Sequence, residues 1–242
     1  MKPDEGKRST AVSHFVFMLT HGDRTVGHAA EIVPALADTG LRYIGFKDVG
    51  ADPSRQRELT SMAHDAGFEV MLEVVSTSKE DELSSLRAAA AAGVDWVLGG
   101  THAADGAGIL PDGIRYCPFP GRVVDHPSVL LGTIEEIADD AERLTALDHV
   151  TGLDLLAYRH PTADVLTLIR AVVRRARGPV IVAGSIASID RAVAVSEAGA
   201  WGYTIGSAIF DGLLPGAPSI SAQVRRVLED TASADASRET RT

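Results

Sequence analysis

Short apolar runs alternate with longer segments of helical spacing along most of the chain. The run HFVFMLT at 14–20 ends in a turn-like HGDRTVG, and AAEIVPALADTG after it carries apolar residues at helical intervals closed by a glycine. The same unit recurs as YIGFKDV (43–49) with PSRQRELTSMAHDAG, as FEVMLEVVS (68–76) with KEDELSSLRAAAAAG, and as VDWVLGG (94–100) followed by a long loop. The second half reads SVLLGT (128–133), VTGLDLLAY (150–158), PVIVAG (179–184) and GYTIG (202–206). Each of these is followed by a helical segment, the last one short and beginning near Ser207. Strands that are apolar throughout and separated by helices predict a parallel sheet covered on both faces. Eight such units in a chain of 242 residues predict one α/β domain, a single (β/α)8 TIM barrel spanning 13–230. The polar ends, 1–12 and 231–242, are expected to be unstructured.

The fifth strand is the open point of this pattern. The segment from Thr101 to Gly132 is long and rich in Gly and Pro. It contains a second apolar piece, IRYCPFPGRV, which is either the true strand or an excursion over the barrel mouth. Long ordered loops of this kind are often functional.

Side chains at the carboxyl ends of barrel strands converge on one pocket, so polar residues there are the candidates for chemistry. On the second strand, Gly45, Lys47 and Val49 share one face while Ile44 and Phe46 supply the other, which predicts that Lys47 points into the barrel. A desolvated lysine suits general acid/base work or a Schiff base, and a structural ion pair is its plainer alternative. Glu73, between Leu72 and Val74, faces inward on the adjacent strand, and Asp154, between Leu153 and Leu155, is a third interior acid. Lys47, Glu73 and Asp154 are therefore the candidate catalytic residues. His21, Thr101, His102, Tyr158 and Arg159 lie at or beyond strand ends as candidate substrate-binding residues. The histidines show no zinc-site spacing, so no metal is assigned. No glycine-rich dinucleotide fingerprint follows the first strand, and no cofactor is called for.

Composition narrows the ligand. A net charge of -10, with 33 acidic against 23 basic residues, argues against a nucleic-acid surface, so an anionic ligand would need a local pocket. One cysteine, Cys117, excludes an intramolecular disulfide and fits a reducing, cytoplasmic setting. No apolar stretch is long enough to span a membrane, and the first residues lack a signal-peptide core. A homodimer is compatible with base rates.

The sharpest motif is PVIVAGSIASIDRAVAVSEAGAWGYTIGSAIFDG, residues 179–212, where two successive strands each end in glycine and a small hydroxyl residue. Gly184, Ser185, Gly206 and Ser207 would let main-chain N–H groups approach an anion closely, forming a phosphate cradle. This run resembles the ribulose-phosphate-binding barrel superfamily, which includes phosphoribosyl isomerases, indole-glycerol-phosphate synthase and N-acylmannosamine-phosphate epimerases. The matching residues are Ala183, Gly184 and Ser185, then Gly206, Ser207 and Ala208. The resemblance implies a sugar-phosphate or similar ligand. The chain departs from the histidine-type isomerases, which carry an aspartate ending strand 1, because the acid here is Asp23 in the following loop. It shares with the epimerases a lysine on an early strand, but has VAGS where they carry a strand-7 glutamate, so that role would fall to Glu73 or Asp154. The expected function is an isomerase or epimerase acting on a phosphorylated sugar or related small phosphorylated carbonyl compound. The alternatives are a Schiff-base aldolase or lyase using Lys47, and a non-catalytic phosphate-binding barrel.

Overall fold

The computed structural model describes residues 13–239 except 77, 107, 216 and 217. The expected unstructured segment 1–12 and residues 240–242 lie outside the described residues. Eight parallel strands form the barrel: β1 (His14–Met18), β2 (Tyr43–Lys47), β3 (Glu69–Val74), β4 (Trp96–Gly99), β5 (Arg115–Cys117), β6 (Leu153–Leu155), β7 (Val180–Val182) and β8 (Gly202–Ile205). Ladders run from β6 through β7, β8 and β1 to β5. The remaining seam is bridged by main-chain bonds from Thr151 N to Tyr116 O (2.8 Å) and from Asp154 N to Pro118 O (3.1 Å).

The helices are α1 (Ala29–Ile32), α2 (Pro53–Asp65), α3 (Lys79–Ala92), α4 (Ala103–Gly106), α5 (Ile134–Leu144), α6 (Val165–Arg175), α7 (Ile189–Glu197), α8 (Ser207–Phe210) and α9 (Ile220–Glu239). A 3-10 segment, Val33–Thr39, continues α1. Their starts follow local chemistry. Asp52, Ser78, Asp164 and Ser188 each accept an N–H of the first turn, and Thr133 with Glu136 forms a reciprocal capping box.

Two sequence expectations are corrected. The fifth barrel strand is Arg115–Cys117, within the apolar piece of the long loop. The expected strand 128–133 instead supplies Val129–Leu131, which pairs antiparallel with Arg122–Val124 as a hairpin. Its apolar residues serve the hairpin's inner face, with Leu130 buried, and this satisfies the same pattern that a barrel strand would. At the other end, α9 runs on to Glu239, through most of the segment expected to be unstructured after Thr231. Thr231 itself is buried and its hydroxyl donates to Val227 O, so packing carries the helix past the point where composition turns polar.

Strand alternation separates two cores. Phe17, Ile44, Phe46, Leu72, Val97 and Leu155 face outward and pack with the helices. Val16, Met18, Met71, Leu98, Cys117 and Ile181 fill the barrel axis. Gly45 is needed in that axis, because a Cβ there would collide with the Met18 sulfur and lie 3.1 Å from Met71 O. This apolar layer is the floor on which the polar strand ends stand.

Candidate active site

Above the floor, register brings Lys47 opposite Glu73 on adjacent strands. Lys47 Nζ lies 3.1 Å from Glu73 Oε1 and 2.5 Å from Asp23 Oδ1. Asp23 in turn accepts two bonds from the Arg159 guanidinium, Nη2 to Oδ1 at 2.7 Å and Nη1 to Oδ2 at 3.0 Å. Lys47 and Glu73 are 4 % and 3 % exposed, so this is a buried four-residue ion network. Asp23 sits at the tip of a small hairpin, Thr20–His21 paired with Arg24–Thr25, with φ of 64°, a conformation aspartate tolerates better than most residues. Arg159 follows β6, and its Nη1 also donates to Ser128 O (3.3 Å) in the loop of the 122–131 hairpin. The network thus ties β2 and β3 to the loops after β1, β5 and β6.

The charges shape the protonation states. The guanidinium of Arg159 and the ammonium of Lys47 hold the Asp23 carboxyl far below the usual carboxylate range, despite burial acting against them. Burial would lower Lys47, but the Glu73 and Asp23 carboxylates outweigh it and raise its pKa. Asp154 is different. It is fully buried, neither carboxyl oxygen has a hydrogen-bond partner among the described residues, and burial with the nearby Glu73 charge pushes its pKa well up. Apart from Asp154, Lys47 and Arg159 stand against Asp23 and Glu73, two groups of each sign in one bonded network.

A cavity of about 340 Å³ opens over this network. Its lining includes Asp23, Lys47, Glu73 and Arg159 on one side and Gly184, Ser185, Gly206 and Ser207 on the other. The predicted catalytic pair and the predicted glycine–serine strand ends therefore share one pocket. Gly184 (φ 77°) could carry no side chain without colliding with the Arg159 guanidinium. Asp154 does not line the cavity and lies behind it.

The other candidates are placed elsewhere. His21 turns outward and pairs with Asp211 (2.8 Å), while Gly22 N donates to the Ser207 hydroxyl (3.2 Å). Thr101 and His102 bind the buried Glu82, through both backbone N–H groups and both side chains, and leave the Lys47 cavity. Thr101 lines a separate groove beside the 122–131 hairpin. Tyr158 is stacked under Arg191, 4.9 Å from ring centroid to guanidinium carbon, and supports a lining residue instead of lining the cavity. Cys117 is buried in the barrel axis, where burial pushes its thiol far above the usual range.

Two residues outside the candidates chosen from the sequence line the cavity, Asp23, noted there only as the acid of the loop after the first strand, and Arg191. Asp23 followed a glycine in the loop after β1, and a Gly-Asp turn at a strand's carboxyl end was the available signal. Arg191 stands three residues after the Ser188 cap of α7, in the first turn of a helix that begins at the barrel mouth. Among the described residues no His, Cys, Asp and Glu cluster of three or more is arranged to hold a metal ion, and no helix is long and apolar enough to cross a membrane.

The fold is an α/β barrel, and it is shared with solved structures that are 15–16 % identical in sequence. Orotidine 5'-phosphate decarboxylase from Pyrococcus horikoshii is similar with a TM-score of 0.65 and 15 % identity, over 90 % of this chain and 99 % of that one. N-(5'-phosphoribosyl)anthranilate isomerase from Pyrococcus furiosus gives 0.54 and 15 %, over 90 % and 99 %. Tryptophan synthase from M. tuberculosis gives 0.59 and 16 %, over 94 % of each chain. The sequence matches no protein-family model and, at a significant level, no curated protein.

Proposed function

We propose that this chain is an enzyme acting on a phosphorylated sugar or related small phosphorylated carbonyl compound, as an isomerase or epimerase that moves a proton next to the carbonyl. The observation that carries the reading is the Lys47–Glu73 pair in one cavity with Gly184, Ser185, Gly206 and Ser207. Two of the similar barrels bear names that include a phosphorylated ligand, which is consistent with it.

In this reading the phosphate rests against the two glycine–serine strand ends and the carbonyl end of the substrate lies over Lys47. Glu73 removes the proton from the carbon beside the carbonyl, and the electron pair left behind becomes an enediolate whose oxygen is stabilised by the Lys47 ammonium. Return of the proton from Glu73 to the former carbonyl carbon, with the hydroxyl proton passing to the former carbonyl oxygen, gives the isomer; delivery of a proton from the Lys47 ammonium to the opposite face of the same carbon, while Glu73 keeps the one it removed, gives the epimer. Asp23 is a poor base, since Arg159 and Lys47 hold its carboxylate, and it positions Lys47 instead. Asp154 does not reach the cavity and acts through its neighbours.

The raised Lys47 favours this chemistry over the Schiff-base lyase, whose first step needs a neutral amine. Incubation with a panel of phosphorylated aldoses and ketoses in deuterium oxide tests the reading. Deuterium entering carbon-bound positions of one of them, with no adduct trapped by borohydride, is the expected result. A borohydride-trapped adduct on Lys47 would establish the lyase, and tight binding without exchange would establish a non-catalytic barrel.

A further inference from the structure

The cavity contains one cationic side chain that the ion network leaves without a carboxylate partner. Arg191 lines the cavity beside Gly184, Ser185, Gly206 and Ser207. Its guanidinium lies over the Tyr158 ring, and its Nη1 donates to Ser185 O at 2.6 Å. Among the described residues no Asp or Glu oxygen lies within salt-bridge distance of it. The ring contact and the carbonyl bond hold the guanidinium at the cavity wall without a carboxylate partner, which is a preorganised arrangement for a phosphate.

At the other end of the cavity the count closes. Lys47 and Arg159 supply two positive charges and Asp23 and Glu73 two negative ones, while Asp154, fully buried and without a hydrogen-bond partner, does not line the cavity. The remaining lining acid, Asp211, is paired with His21. A carboxylate on the substrate would thus meet a neutral network with Glu73 and Asp23 already in place, and would be repelled or left unpaired.

Building on the proposed function, we infer that the site takes a singly phosphorylated sugar whose reacting end is an uncharged carbonyl, that Arg191 is the charged ligand of its phosphate, and that phosphorylated keto acids are excluded. Tyr158 is then a positioning residue, holding the Arg191 guanidinium beside the strand-7 glycine loop.

The test measures calorimetric affinities of the full chain for inorganic phosphate, a ketopentose phosphate and a phosphorylated 2-keto acid of similar length. Wild type, Arg191→Gln, Arg191→Lys and Tyr158→Leu are compared, with thermal melts as the control for folding. The expected pattern is a ketose phosphate bound about tenfold or more tightly than the keto acid. Phosphate binding should be weakened about tenfold or more by Arg191→Gln, and less by Arg191→Lys and Tyr158→Leu. Equal or tighter binding of the keto acid would overturn the charge argument, and an unchanged phosphate affinity in Arg191→Gln would overturn the role of Arg191. Failure of the wild type to bind any of the three probes would instead overturn the phosphate reading on which the inference rests.

Discussion

Lys47 Nζ and Asp23 Oδ1 lie 2.5 Å apart, though Asp23 belongs to the loop after β1 and Lys47 to the end of β2. The Thr25 hydroxyl reinforces this link, donating to Lys47 O (2.7 Å) and accepting from Lys47 N (2.8 Å). The loop that could have hung over the barrel mouth is therefore bonded to β2 through both main chain and side chain. With Arg159 on the far side of Asp23, the position of the ammonium is set by three separate segments of the chain.

Removing the ammonium should cost stability as well as activity. Lys47→Met leaves Glu73 and Asp23 buried without their shared cation, and loss of one partner from a buried pair typically costs about 3–5 kcal/mol. Lys47→Met/Glu73→Gln, which also removes a stranded charge, should be destabilised by less than the sum of the two single variants. Urea unfolding of the four proteins completes the double-mutant cycle, and additive effects would mean that the pair is uncoupled.

Asp154 should make the barrel less stable as pH rises. Its folded pKa is raised, so above the ordinary carboxylate value of about 3.9 the folded state keeps a proton that the unfolded state has lost. The contribution is fully present below that value and falls away, by at most about 1.4 kcal/mol per pH unit, until pH passes the folded pKa. Asp154→Asn removes this slope. The variant should gain on wild type as pH rises above the ordinary carboxylate value in urea unfolding, and parallel pH profiles would show that Asp154 is ionised in the folded protein.

Glu73→Gln separates binding from chemistry. The amide keeps the shape of the carboxyl group but cannot accept the substrate proton, so solvent deuterium exchange should fall by about 100-fold or more while phosphate affinity changes little. Exchange at the wild-type rate would move the role of base to another group. Stability should drop as well, since Lys47 loses one of its two carboxylate partners.

Much of this architecture was legible because the barrel repeats one physical rule. Apolar strands covered on both faces and helices closed by caps and glycines are local features, and alternation alone put Lys47, Glu73 and Asp154 inside. The fifth strand was not legible, because VLL in a hairpin and RYC in a barrel obey the same burial and differ only in the partner strand, a long-range choice. Asp23 was missed for a similar reason. Its partner Arg159 is 136 residues away, and nothing near Asp23 announces the pairing. Thr101 and His102 were misjudged because the fully buried Glu82 of α3 draws that loop away from the axis, and a glutamate on a helix reads from sequence as a solvated side chain.

Gly184 links the glycine–serine end of the cavity to the ion network and is the position where one added methyl group should disturb both. Its φ of 77° disfavours any L side chain, and its missing Cβ leaves room for the Arg159 guanidinium, whose Nε is buried there without a hydrogen-bond partner. Gly184→Ala forces either the strand-7 loop or Arg159 to move, at a cost of about 1–3 kcal/mol. If Arg159 moves, Asp23 loses two hydrogen bonds and the Lys47 ammonium loses the fixed carboxylate that orients it. Exchange activity should then fall further than the loss of stability explains, and phosphate affinity should fall with it. A variant that is less stable but exchanges and binds like wild type would show that Arg159 and the strand-7 loop are independent, contrary to their contact in the structure.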